Sequence, residues 1–152
     1  MQNETIINGE RHILGRLASI VAKRLLKGER ITILNADKIV VSGNKKMVIE
    51  SYKLLFKVKT HYNPYKQGIR RPRSPENIVR KAIRGMLPMD KPKGRAAFRR
   101  LKVFSGIPPE YENVKDKMIK IEDALATRLG RTYVTLAEIA LQMGWKPKVL
   151  KA

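Results

Sequence analysis

Apolar positions recur along this chain at two spacings, and turn residues fall where the spacing changes. Thr5-Ile6-Ile7 predicts a short strand, closed by a turn around Asn8-Gly9. Leu14, Leu17, Ala18, Val21 and Leu25 recur at helical spacing and predict a helix over residues 15–27, with Gly28 as its stop. Ile31 to Leu34 and Lys38 to Val41 predict two strands, followed by Ser42-Gly43. Asn44 can cap a second helix reaching about Lys59, with an apolar stripe of Met47, Ser51, Leu54, Leu55 and Val58. Strand, helix, strand, strand, helix is the order of an α/β sheet with helices packed on its faces.

The period then disappears. Residues 60–74, with Asn63-Pro64, Gly68 and Pro72, predict a loop too long for a plain connector. Ser74-Pro75 opens a third helix, serine as cap and proline in the first helical position, ending before Pro88. A short fourth helix is expected after Gly94, a strand at Lys102-Val103-Phe104 and a turn at Gly106-Ile107-Pro108-Pro109. Near the end, Thr135-x-x-Glu138 has the form of a capping box, opening a helix closed by Gly144. Gly85 sits late in the third helix, where it marks either loosening before Pro88 or close approach of another backbone.

Composition adds the partner class. The 152 residues suit one domain and include 43% hydrophobic residues, enough for a core. There is no cysteine, hence no disulfide and no cysteine-held zinc. The start Met1-Gln2-Asn3-Glu4 lacks the pattern of a signal peptide, and no apolar run is long enough for a bilayer, so a soluble intracellular domain is expected. The net charge of +20 calls for a polyanion. Residues 57–102 hold 15 of the 33 cations and only 2 of the 13 acids, whereas an ordinary solvated surface mixes the signs.

On a helical wheel of roughly 100° per residue the cations form lines. Arg16, Lys23 and Lys27 lie opposite Leu14, Val21 and Leu25, and Lys46, Lys53 and Lys57 lie opposite Val48 and Leu55. Arg80, Lys81 and Arg84 share a face opposite Ile78, Ala82 and Met86; Arg95 and Arg99 lie opposite Ala97 and Leu101, with Lys91, Lys93 and Arg100 flanking. The bland alternative is an amphipathic helix with a solvated face, but such faces pair lysine with glutamate. The third and fourth helices have only Glu76 and Asp90 nearby. In the loop region Lys57, Lys59, His61, Tyr62, Asn63, Tyr65, Lys66, Arg70, Arg71 and Arg73 interleave cations with rings, the pattern that grips phosphates and stacks on unpaired bases. The alternative there is a solubilising loop whose tyrosines pack on the body.

Catalytic chemistry finds little support. His12 and His61 are the only histidines, and neither G-x-G-x-x-G nor G-x-x-x-x-G-K-[ST] occurs. No catalytic residue, metal ligand or cofactor is expected.

Four stretches then carry a resemblance: His12 to Ser19 (HILGRLAS), Val41-Ser42-Gly43, Val79 to Pro88 (VRKAIRGMLP), and Leu101 to Pro108 (LKVFSGIP). With Asn63-Pro64 and Gly144-Trp145-Lys146, they resemble the L13 family of large-subunit ribosomal proteins, in its archaeal and eukaryotic form. The bacterial His-Thr-Gly-Tyr-Pro-Gly-Gly and His-Pro-His-x-Ala-Gln segments are absent, and Arg71-Pro72-Arg73-Ser74 stands where the family pattern is Arg-Ala-Pro-Ser. The resemblance implies a three-layer α/β/α fold. With the elements above, that means a small mixed or parallel sheet of about four strands flanked by helices, plus the long basic loop. The expected organisation is one L13-like domain over 1–152, with the basic loop at 60–74 and a C-terminal helical tail over 113–152. It also implies large-subunit ribosomal RNA and neighbouring ribosomal proteins as partners, a cytoplasmic place in the subunit, a role in early assembly, and neither a membrane nor a small-molecule substrate. The rival is an RNA-binding regulatory or RNA-processing factor acting off the ribosome.

Overall fold

The computed structural model describes residues 4–130 and 132–147. It is an α/β fold. Strand β1 (Glu4–Asn8) leads into helix α1 (Leu14–Leu26), then β2 (Arg30–Leu34), β3 (Val40–Ser42) and α2 (Lys45–Lys57). The short helix α3 (Pro64–Gln67), α4 (Pro75–Gly85), α5 (Pro92–Arg99), β4 (Leu101–Val103), β5 (Tyr133–Thr135) and α6 (Leu136–Gln142) follow.

The strands form two sheets rather than one of about four. A parallel sheet runs β1-β2-β4, and β3 pairs antiparallel with β5, Val41 opposite Val134. Alternation along the parallel sheet decides what each face meets. Ile7, Ile31, Ile33, Leu101 and Val103 cluster with Leu17, Val21, Leu25, Val79 and Ile83, so α1 and α4 cover that face. On the other face the Thr32 hydroxyl and the Tyr111 hydroxyl both donate to the Glu4 carboxylate. Tyr111 belongs to a 3₁₀ segment, Pro109–Lys117, which therefore lies on this side of the sheet.

Local caps are where the chain signals them. The Ser74 hydroxyl accepts the Asn77 N–H at 3.4 Å with Pro75 first in α4, and the Asn44 side chain accepts the Lys46 N–H at 3.0 Å. Thr135 accepts the Glu138 N–H, but the Glu138 carboxylate turns to Lys45 at 3.2 Å instead of closing the box. Gly144 ends α6 at φ +90°.

Several expectations need correction. Residues 36–38 form a 3₁₀ turn, so the third strand begins at Val40 rather than Lys38. The expected stripe of α2 faces outward: Met47 is 70% exposed and Leu54 56%, while Val48, Ile49, Tyr52 and Phe56 pack on the core. That helix carries two apolar stripes, and the body covers the one with the aromatic rings. Met86, expected on the packed face of α4, is exposed, and Leu87 is buried instead. Gly94 lies inside α5 rather than before it; a Cβ there would sit 2.0 Å from the Pro88 carbonyl oxygen, so the glycine permits a backbone contact. Gly85 has open space around it and serves no such approach within the chain. The tail expected as helical consists of 3₁₀ turns, β5 and the single helix α6; residues 148–152 of that expectation lie outside the described residues.

Candidate nucleic-acid interface

The helices present their cations because their apolar stripes are committed to the sheet and to one another. Leu14, Leu17, Val21 and Leu25 bury one side of α1, leaving Arg16, Lys23 and Lys27 exposed. Ile78, Val79 and Ile83 do the same for α4, leaving Arg80, Lys81 and Arg84 outward. In α5 Gly94 and Ala97 face in, and Lys91, Lys93, Arg95 and Arg99 face solvent. Lys46, Lys53 and Lys57 on α2 are exposed as well.

The loop region supplies a groove. Lys59, His61, Arg70, Arg71 and Arg73 line a cavity of about 550 Å³ at the carboxyl end of α2, against apolar walls from Phe56 and Ile69 and with no carboxylate in the lining. Tyr62 and Tyr65, with Asn63 and Lys66, are exposed; Tyr65 is 96% so, which removes the alternative that these rings pack on the body. Both rings stand free to stack on a base.

Not every predicted cation is free. Arg73 donates to the Met143 carbonyl at 2.8 Å and lies 4.6 Å over the Phe56 ring, tying the loop to α6 and α2. Arg100 donates to the Leu25 carbonyl at 2.7 Å, capping the end of α1, and Arg80 rests 5.4 Å over Phe98, joining α4 to α5. Arg71 and Arg100 are half-buried, and the Nε of each is buried without a partner. These three contacts depend on residues distant in the chain.

The acids with hydrogen-bond partners do little to offset this basic surface. Glu76, in the first turn of α4, accepts the Ser105 N–H at 3.0 Å, and Asp37 accepts the Gly106 N–H at 3.1 Å. Glu4 takes two hydroxyls. These carboxylates satisfy donors of the loop after β4 and of the sheet rather than neutralise cations. Among the described residues Lys45–Glu138 is the one ion pair. A cleft that the sequence reading missed gathers Arg30 and Lys102 beside Arg99, Arg100 and the carboxylate of Glu4 at the sheet. Its signal was the strand Leu101-Lys102-Val103, where an exposed lysine stands between two buried residues.

Among the described residues no group of histidine, cysteine or carboxylate side chains could hold a metal, and no helix is long and apolar enough to cross a membrane. His12 is fully buried: its Nδ1 is 3.0 Å from the Glu10 carbonyl and its Nε2 accepts the Ile121 N–H at 3.0 Å. That arrangement is structural.

Fold and surface together define a small basic α/β protein with lines of exposed cations on its helices and a ring-bearing cationic loop. The family model described as ribosomal protein L13 matches residues 2–110. The large ribosomal subunit protein uL13 of Saccharolobus solfataricus is 49% identical over 140 residues, 92% of each chain. Proteins of the same description from Methanosphaera stadtmanae and Archaeoglobus fulgidus are 48% and 46% identical, covering 93% of this chain and 98% and 88% of theirs. The chain belongs to the ribosomal protein L13 family.

Proposed function

We propose that this chain is a structural constituent of the large ribosomal subunit that binds and positions ribosomal RNA and joins the subunit early in its assembly. The observation that carries this is the use of the acids. Glu4, Asp37 and Glu76 hold backbone and hydroxyl donors, and in a chain of formal net charge +20 Lys45–Glu138 is the one ion pair among the described residues. Such a surface is stable when phosphates neutralise it. The exposed lines on α1, α2, α4 and α5 grip the backbone, and Tyr62 and Tyr65 stack on unpaired bases. The 152 residues act as one L13-like domain, in the cytoplasm, beside neighbouring ribosomal proteins. The role is scaffolding, without turnover of RNA or nucleotide.

Binding to a large-subunit ribosomal RNA fragment, measured across salt concentration, tests this. With roughly 6–10 phosphates contacted, affinity falls about 10³–10⁵-fold between 50 and 200 mM salt. A slope of under about two released counterions contradicts phosphate-dominated binding.

A further inference from the structure

A third concavity lies outside all the residues discussed above as RNA contacts. Beyond β1 the chain makes an isolated parallel bridge, Ile7 with Ile119, in which the Asn8 N–H donates to the Ile119 carbonyl at 3.1 Å and the Ile119 N–H to the Ile6 carbonyl at 2.9 Å. The spatial order across the sheet is therefore Ile119, β1, β2, β4. The chain winds from β1 toward β4 and then returns to the other side of β1, so its winding reverses between β1 and Ile119. In open α/β sheets ligand crevices lie at the carboxyl ends of the strands at such a reversal.

A cavity of about 500 Å³ opens there. Glu10 and Arg11, which follow β1, and Lys120, which follows Ile119, line it together with Thr127 and Tyr133. Arg11 is held at φ +58°, a conformation that costs energy for a residue with a Cβ. It is kept there because its N–H donates to the Lys38 carbonyl at 3.3 Å and its carbonyl accepts the Ala126 N–H at 2.8 Å. Tyr133 is 39% exposed although it lies in a strand.

We infer that this cavity takes a single unstacked nucleotide, its base against Tyr133 and its phosphate between Arg11 and Lys120. The lining offers each part of a nucleotide a matching group. The phenol ring provides a stacking face, the two cations neutralise a phosphate, and the Glu10 carboxylate and Thr127 hydroxyl reach for base edges or ribose hydroxyls. A bare anion does not use the ring, a purely apolar ligand does not use the charges, and a duplex does not fit the volume. The inference rests on the RNA-binding reading. The nucleotide is one extruded from bound RNA or a free mononucleotide, and both present the same groups.

The test uses the full chain in two arms. In the first, nucleoside 5′-monophosphates are titrated while backbone amide shifts are followed by NMR; shifts are expected at Glu10, Arg11, Lys120, Thr127 and Tyr133. In the second, affinity for a ribosomal RNA fragment is measured for wild type, Tyr133→Leu, Tyr133→Phe and Lys120→Gln. Loss of one stacked base weakens binding about tenfold in Tyr133→Leu, while Tyr133→Phe, which keeps the ring, binds as wild type. Loss in the RNA arm assigns the pocket to an RNA nucleotide; shifts without that loss assign it to a free nucleotide. If wild type binds RNA, Tyr133→Leu binds equally well and no mononucleotide shifts these amides, the inference fails while the RNA-binding proposal stands. If wild type does not bind RNA at all, the proposal of the previous subsection fails first, and the mononucleotide arm alone decides this one.

Discussion

The imidazole of His12 and the backbone of Ile121 form a fully buried hydrogen bond, the Ile121 N–H donating to Nε2 at 3.0 Å. On the other side of the ring Nδ1 lies 3.0 Å from the Glu10 carbonyl, which requires the proton to sit on Nδ1. The neutral ring thus joins the loop after β1 to the segment that follows Ile119.

Burial pushes the His12 pKa below its ordinary value of 6.5, with the Lys120 charge acting the same way against the opposing hydrogen bonds from Glu10 and Gly9. The folded state therefore binds this proton less readily than the unfolded chain, so stability falls as pH drops below about 6.5 and is flat above it. Urea midpoints between pH 5 and 8 check this. His12→Leu should flatten the acid limb and also cost about 1–3 kcal/mol at pH 7.5, because the Ile121 N–H loses its buried acceptor. An unchanged acid slope in His12→Leu removes this residue as its source.

The arginines should separate into two groups. Arg84→Ala, Arg95→Ala and Arg99→Ala leave exposed positions, so they weaken RNA binding and change stability by less than about 0.5 kcal/mol. Arg73→Ala and Arg100→Ala break charged hydrogen bonds to Met143 and Leu25 and should each cost about 1–3 kcal/mol of stability. Thermal unfolding and RNA affinity, measured on the same five proteins, reveal the split or its absence.

Two glycines should respond with opposite signs to alanine. Gly94→Ala places a methyl 2.0 Å from the Pro88 carbonyl oxygen and forces the turn before α5 apart, a loss of about 1–3 kcal/mol. Gly85→Ala meets open space at the end of α4 and gains up to about 1 kcal/mol of helix propensity. Equal effects in calorimetry would mean that Gly94 does not hold this contact.

Hydrogen exchange should divide the basic loop. In the free protein the amides of His61, Tyr62, Asn63 and Tyr65, with no backbone partner among the described bonds and like charges alongside, exchange fast and slow down on RNA. Lys66 and Gln67, whose N–H groups donate to the Asn63 carbonyl, and Asn77 and Ile78, whose N–H groups donate to the Ser74 hydroxyl and carbonyl, are protected in both states. Uniform protection across 60–74 without RNA would show packed structure and weaken the stacking role of Tyr62 and Tyr65.

Contacts within one turn of the chain were readable in advance. Asn44, Ser74-Pro75 and Thr135 cap helices because the donor each satisfies lies two or three residues away. The basic lines on α1, α4 and α5 follow from the helical period alone, as does the apolar side that each helix buries. Contacts between remote residues were not readable. The outward stripe of α2 follows the same period as the packed one, and only the body against which Tyr52 and Phe56 lie distinguishes them. The division into two sheets depends on β5 finding β3 across most of the chain. Nothing in the spacing around His12 indicates a brace, because its partner is the remote amide of Ile121. Arg73 and Arg100 are expected as phosphate contacts from the sequence, and only the tertiary structure shows that each also donates to a remote backbone carbonyl. The sheet reversal that sets Arg11, Lys120 and Tyr133 around one cavity has no trace in local spacing, since periodicity reports which side of an element faces inward and not which element it meets.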